Sequence, residues 1–417
     1  MPSAIDPCAL PELIHPDDAL PMLLGQVDAI SEVTTLDLTD ALDFVLACDI
    51  QSSLNLPPFD NSAMDGYAFR LDDLDHSQSS TSLTLVGTSL AGHPFAGKLT
   101  DGCCIRIMTG APVPNGLDTV QMQELTQAND KIITITHPNK LGANVRGLGE
   151  EVSIGQTVLS KGTRIRAAEL GVLATLGVAK VNVIRKLKVA FFSTGDELKP
   201  VGTELQQGQI YDSNRYSIKG LLSKAHVDWI DLGIIEDCPL AIERAFSNAA
   251  EQADLVLTSG GVSVGDADYV KQVLDKVGEI TFWRLAMKPG KPFAMGKLEN
   301  AIFCGLPGNP VASMVTFYQL VMPLIEKMQG QRQTQRLKVQ AKLTNDIRRK
   351  PGRVEYQRGV LTHDNQGRLS VTTTGAQGSG MLTSMSSANC FIHIPLKQGK
   401  ITAGESVTVE PFNQILS

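Results

Sequence analysis

The residues most able to do chemistry sit in Gly-rich segments that follow apolar runs. KVAFFS is followed by TGDEL, DLVLTS by GGVSVGDADY and AIFCG by LPGNP, and each leads directly or closely into a helical pattern. A Gly-rich turn before a helix lets backbone N–H groups approach a phosphate, and the helix dipole adds to the attraction. One such loop is most simply a tight βα turn. Three in one sheet, including Ser259, Gly260, Gly261 and Ser263 of the second, point to an anion pocket. Neither GxxxxGK[ST] nor GxGxxG occurs, so a standard nucleoside-triphosphate or dinucleotide site is excluded.

Cations and carboxylates accompany these loops. Met287-Lys288-Pro-Gly-Lys291-Pro sets two lysines around a Pro-Gly turn. Such a rigid pair suits phosphate or another tetrahedral oxyanion, and reads equally as a solvated hairpin turn. Asp65 in MDGYA, Glu197 in TGDEL, Asp237 after DLGII, and Asp266 with Asp268 in GDADY place carboxylates in the same kind of loop. Near phosphates, carboxylates act through a divalent cation, usually Mg²⁺. Taken singly, Asp266 reads as an N-cap and Asp237 as a turn residue before Pro239. The seven histidines form no HxH or HExxH, and no GxSxG is present, which argues against zinc hydrolysis and acyl-enzyme chemistry.

The elements that must position these residues follow from periodicity. Residues 1–50 carry mixed signals, with a helix expected within Thr39–Asp49 leading into a strand. LNLPPFDNSAMDGYAFR is turn-rich, and residues 80–140 alternate with period two. Residues 163–178 predict a helix closed by Gly177. From 187 to 330 strands alternate with helices, which predicts a parallel sheet covered on both faces. NPVASMVTFYQLVMPLIEKM reads as one long helix with Asn309 as N-cap and Pro310 at its first position. Short alternating runs from 332 onward predict a small β barrel or sandwich. The expected organisation is an α/β multidomain chain. Its parts are a discontinuous N-terminal domain (1–51 and 147–186), an inserted β-rich subdomain (52–146), an α/β domain with a parallel sheet (187–330) and a C-terminal β domain (331–417).

Composition narrows the function classes. The 417 residues are 42% hydrophobic and 19% charged with a net charge of −7, ordinary for a globular chain. Basic residues are dispersed apart from Arg348, Arg349, Lys350 and Arg353, read as a solvated face or strand end, so nucleic-acid binding is disfavoured. Seven scattered cysteines without a CxxC pair fit a reduced, cytoplasmic protein. No signal peptide or membrane span is expected.

With these segments collected, the sequence resembles the molybdopterin molybdenumtransferases of the MoeA and gephyrin E-domain family. The matching stretches include PPFDNSAMDGYAFR, RIMTGAPVPNGLDTVQMQE, NVRGLGEEV, FFSTGDEL, TSGGVSVGDADYVK, MKPGKPFAMG, GLPGNPVASM, PGRVEYQRG and TTTGAQGSG, in family order from about residue 17. The resemblance implies a four-domain homodimer whose cleft draws on the partner chain. It implies insertion of molybdate into adenylylated molybdopterin, with Mg²⁺ and release of AMP. It also implies contact with a molybdopterin adenylyltransferase and with cofactor-receiving enzymes.

Residue by residue, the resemblance implies Asp65 and Thr109 on one side of the cleft, with Arg146 and Glu151 as a polar pair. Glu197, Asp237 and Asp268 match essential carboxylates and Mg²⁺ ligands, and Lys288 and Lys291 match the KPGK cations. Pro307 and Pro310 match paired prolines, and Arg358 and Ser379 match further oxyanion ligands. Glu151 and Arg284 stand where the family often has Asp and Lys. The competing readings are a molybdopterin adenylyltransferase, a gephyrin-like scaffold, and a pyridine-nucleotide hydrolase sharing only the α/β domain.

Overall fold

The computed structural model describes residues 13–136, 140–261, 269–413 and 416. The chain forms two compact units. One comprises Cys48–Lys161 with Ala167–Ala179, the other Met1–Ala47, Gly162–Arg166 and Lys180–Ser417.

In the first of these, a six-stranded sheet runs in the order Thr119–Met122, Gly66–Phe69, Cys103–Ile107, Ser80–Ser89, Ile132–Thr136, Thr126–Asn129. Both faces are covered: Tyr67, Phe69, Cys104 and Ile133 pack on one side, Ala68, Ile105, Ile107 and Val120 on the other. Consecutive side chains of a strand point to opposite faces, so an apolar run such as Gly-Tyr-Ala-Phe serves two cores. The helix expected over residues 163–178 forms over Ala167–Thr175, followed by Gly177 at φ +71°, while Arg164 makes a β-bridge to Val45 instead.

The helix expected within Thr39–Asp49 does not form. Leu38–Asp40 makes one 3₁₀ turn, Asp43 adopts φ +68°, and Val45–Leu46 is a strand buried against Val183 and Ile184. A left-handed residue interrupts helical geometry, and edge pairing outweighs the weak local propensity.

The second unit holds an α/β sandwich and a barrel. The sandwich runs β1 (Lys188–Thr194), α1 (Ser213–Lys224), β2 (Asp228–Ile235), α2 (Pro239–Gln252), β3 (Leu255–Ser259), α3 (Tyr269–Val277), β4 (Glu279–Arg284), β5 (Pro292–Leu298), β6 (Ala301–Leu306) and α4 (Pro310–Thr316). Sheet order is β2-β1-β3-β6-β5-β4. Val189, Phe191, Leu255, Leu257 and Leu306 face α1 and α4, whereas Ala190, Phe192, Val256 and Phe303 face α2 and α3. That double burial is why these strands read as continuous apolar runs.

β2, β1, β3 and β6 are parallel as expected. β5 adds an antiparallel strand between β6 and β4. Its hairpin to β6 turns at Glu299 and Asn300, with Glu299 at φ +47°.

Past α4 the expected long helix widens into a π turn at Phe317–Val321 before resuming as Met322–Met328. Pro323 lacks an N–H and crowds the carbonyl four residues earlier, and a π turn accommodates both.

The barrel comprises β7 (Val339–Leu343), β8 (Val354–His363), β9 (Leu369–Thr373), β10 (Cys390–Ile394) and β11 (Ser406–Pro411). Its ladder closes as β8-β9-β7-β11-β10-β8, around Leu343, Val371, Ile392, Ile394 and Val409.

Candidate active site

Ligands of open α/β sheets bind beyond the carboxyl ends of the parallel strands. There β1 ends at Thr194, β3 at Ser259 and β6 at Leu306, and a cleft of about 900 Å³ opens. Its walls carry Thr194 and Glu197 after β1, Ser259, Gly260 and Gly261 after β3, and Pro307–Pro310 after β6. Lys288–Lys291 and the barrel residues Arg353, Gln377, Gly378 and Ser379 complete it.

Backbone geometry makes this lining possible. Gly260 and Gly261 take φ +94° and +65°. A Cβ on Gly260 would lie 2.6 Å from the Thr194 carbonyl oxygen, and one on Gly261 2.2 Å from Val270 Cγ2. Only glycine fits such an approach. Gly290, at φ +101°, is closed in by Thr316 Oγ1 and Met287 Cε, so the turn between the two lysines is fixed by packing. Asn214 of α1 donates to Ser259 Oγ (2.6 Å) and to the Gly308 carbonyl (2.7 Å), joining two of the loops.

The charges are unevenly neutralised. Lys288 Nζ lies 2.7 Å from Glu355 Oε1. Lys291 and Arg353 line the same cleft, and neither forms an ion pair among the described residues. Asp237 lies beside Asp196 and Glu197. Burial first, then the repulsion of those two carboxylates, pushes its pKa above the ordinary carboxylate value. Carboxylate oxygens suit a hard cation such as Mg²⁺, and uncompensated like charge at Asp237 is what such a cation would relieve. Among the described residues no group of three His, Cys, Asp or Glu side chains is close enough to hold a metal. Asp268, the third carboxylate expected there, lies outside the described residues, as do Ser263 and Asp266.

Thus Glu197, Ser259, Gly260, Gly261, Lys288, Lys291, Pro307, Pro310 and Ser379 come together in one cleft. Arg358 does not line it. Its side chain is buried, its Nε donates to Ser384 Oγ (2.9 Å) and its Nη2 to the Gly378 carbonyl (3.1 Å). Burial pushes its pKa down to about 10. The guanidinium therefore braces the Gln377–Ser379 loop from behind. Asp65, Thr109 and Arg146 belong to the other compact unit. There Thr109 donates its backbone N–H and its hydroxyl to Asp65 Oδ1, each at 2.7 Å. These two bonds, the backbone one foremost, hold the Asp65 carboxyl below its ordinary value. Arg146 is exposed on the strand Val145–Arg146.

Sequence reasoning missed Asn214 and Arg353. Asn214 lies in GQIYDSNRY, a stretch that matches the family, but as one polar residue among several at a helix start it does not stand out. Arg353 was grouped with a basic run read as solvated, although its place in PGRVEYQRG gave it a turn setting.

The site is thus a cation-bearing cleft at the carboxyl edge of an α/β sheet, walled on one side by a β barrel: an anion-handling α/β protein. Three family descriptions match in order: MoeA N-terminal region (domain I and II) over residues 14–177, probable molybdopterin binding domain over 190–327, and MoeA C-terminal region (domain IV) over 340–412. A molybdopterin molybdenumtransferase of Haemophilus influenzae is 48% identical, covering 96% of this chain and 99% of its own. One from a Nostoc species is 36% identical over 96% and 95%. The crystal structure of a molybdopterin biosynthesis moeA protein from Pyrococcus horikoshii superposes with a TM-score of 0.82 at 30% identity, covering 96% of this chain and 100% of that one. The chain belongs to the MoeA family.

Proposed function

We propose that this chain is a molybdopterin molybdenumtransferase, inserting molybdate into adenylylated molybdopterin with release of AMP. The observation that carries the reading is the KPGK turn, whose two lysines line the cleft together with the loops that close β1, β3 and β6. Molybdate and the pterin phosphates are all anions, so bringing them together requires fixed positive charge. Lys288, Lys291 and Arg353 supply it, and Ser379 adds a hydroxyl on the barrel side. The backbone around Ser259–Gly261 and the turn at Pro307–Pro310 receive phosphate oxygens. Catalysis is then positioning plus electrostatic stabilisation of charge that develops as the pyrophosphate bond breaks.

Mg²⁺ is part of the proposal, with Glu197, Asp237 and Asp268 as its holders. When bound it would offset phosphate charge and polarise a phosphoryl oxygen. Asp65, fixed by Thr109, and Arg146 are proposed to complete the cleft from a second copy in a homodimer. The assignment of separate domains at 1–51 with 147–186, 52–146, 187–330 and 331–417 belongs to the same reading. A cytoplasmic location agrees with six unpaired cysteines among the described residues and with no described helix long and apolar enough to cross a membrane. Contacts with a molybdopterin adenylyltransferase and with acceptor enzymes are expectations of the same reading.

The test is AMP release from adenylylated molybdopterin by purified protein, omitting Mg²⁺ and molybdate in turn. Release that requires both, with the pterin gaining metal, supports the transferase. Absence of release by folded protein rejects it in favour of a binding or scaffolding role.

A further inference from the structure

We propose that Glu355 is a positioning residue of this enzyme, holding Lys288 in place for the oxyanion substrate from inside the barrel wall. The proposal rests on the transferase reading above and extends it to a residue that touches no substrate.

Four observations converge on Glu355. Its side chain is 4% exposed, yet it carries a carboxylate. One oxygen lies 2.7 Å from Lys288 Nζ, and the other lies 3.2 Å from Arg349 Nε, whose side chain is 3% exposed. Met287–Lys288 pairs in parallel with Val354–Glu355, so Lys288 and Glu355 are register partners as well as an ion pair. Arg349 is itself anchored: its guanidinium donates to the carbonyls of Ile394, Pro395 and Lys350, and to that of Arg353, the residue that enters the cleft.

The arrangement has a physical logic. A lysine on a flexible stem loses much rotamer entropy when it is held in one place. Glu355 imposes that cost during folding, before substrate arrives. One buried carboxylate facing two cations, Lys288 and Arg349, leaves the three groups together with net positive charge, so Lys288 keeps attraction for an anion. An ammonium has three donors, and the one facing Glu355 leaves others for an oxyanion. A surface carboxylate would be free to swing; a buried one clamped by Arg349 is not.

The experiment measures molybdate binding by calorimetry, and turnover by AMP release, in wild-type protein, Glu355→Gln, Lys288→Met and the double variant. Glu355→Gln is expected to weaken molybdate binding and raise its KM about tenfold, the scale of a hydrogen bond to a charged group, with a smaller change in kcat. In the Lys288→Met background the same substitution should change binding less than about twofold, because its effect runs through Lys288. Glu355→Asp, which keeps the charge, should recover part of the loss.

Removing Glu355 alone strands the buried Arg349 charge. If Glu355→Gln does not fold, Arg349→Gln with Glu355→Gln removes both charges and enters the same cycle. Losses that simply add in the Lys288→Met background would overturn the proposal and leave the transferase reading standing. Wild-type protein that neither binds molybdate nor releases AMP would overturn both.

Discussion

Asn214 and Ser259 are joined by a 2.6 Å hydrogen bond that ties the start of α1 to the end of β3. The same amide holds the Gly308 carbonyl, so one side chain sets the spacing of two loops that line the cleft. Asn214 is 8% exposed, so its donors have little access to replacement water. Asn214→Ala is expected to cost about 1–3 kcal/mol of stability, the penalty for a buried group left unpaired. It should also raise KM for the pterin substrate more than it lowers kcat. Thermal melting with steady-state AMP release measures both, and unchanged values would show that the amide does not set the cleft.

Gly290 tests whether the lysine turn is fixed by packing. Alanine there meets Thr316 Oγ1 at 2.4 Å and Met287 Cε at 2.6 Å, on a backbone at φ +101°. The expected loss is roughly 1–3 kcal/mol, the cost of one strained backbone position. Molybdate binding should fall with it, since Lys291 follows directly in the chain. A variant with wild-type melting temperature and affinity would contradict the packing argument.

The Asp65–Thr109 pair predicts a graded titration. The backbone N–H of Thr109 lowers the Asp65 pKa more than its hydroxyl does. Thr109→Val should therefore move the pKa only part of the way back toward its ordinary value, as read by NMR. Lowered in the folded state, Asp65 contributes stability above its unfolded value, and this is lost as pH falls through the folded one. Full recovery of the ordinary pKa in Thr109→Val would reverse the assigned order of causes.

Asp237 has the opposite sign. Its pKa is raised in the fold, so its ionised form destabilises the folded chain. That penalty is absent below the unfolded value of 3.8, grows as pH rises through the interval up to the folded value, and is constant above it. Asp237→Asn should therefore melt higher than wild type near neutral pH, with the gap closing as pH falls into the carboxylate range. The same variant should need more Mg²⁺ for half-maximal turnover, by about tenfold if one charged ligand is lost. Equal melting temperatures at neutral pH would remove the repulsion argument, and an unchanged Mg²⁺ requirement would remove the ligand role.

Local sequence determined a good deal of this protein. The runs KVAFFS and DLVLTS are buried on both sides, so their composition announces central strands. Glycines at 260, 261 and 290 are demanded by backbone geometry, and the residue type itself carries that signal. The order of turn-rich, alternating and helical segments was enough to separate an α/β region from β regions on either side of it.

What only the tertiary structure decided are relations between residues far apart in the chain. β5 became an antiparallel strand because it pairs with β4 and β6, a choice that no local pattern encodes. Arg358, matched to an oxyanion ligand, is turned inward by Ser384 and the Gly378 carbonyl, whereas Arg353, five residues earlier, lines the cleft. Glu355 meets Lys288 across 67 positions only because a barrel strand lies beside the lysine turn. Propensity and spacing act over a few residues. Which cation is neutralised and which carboxylates repel each other depend on through-space distance, and folding alone sets that.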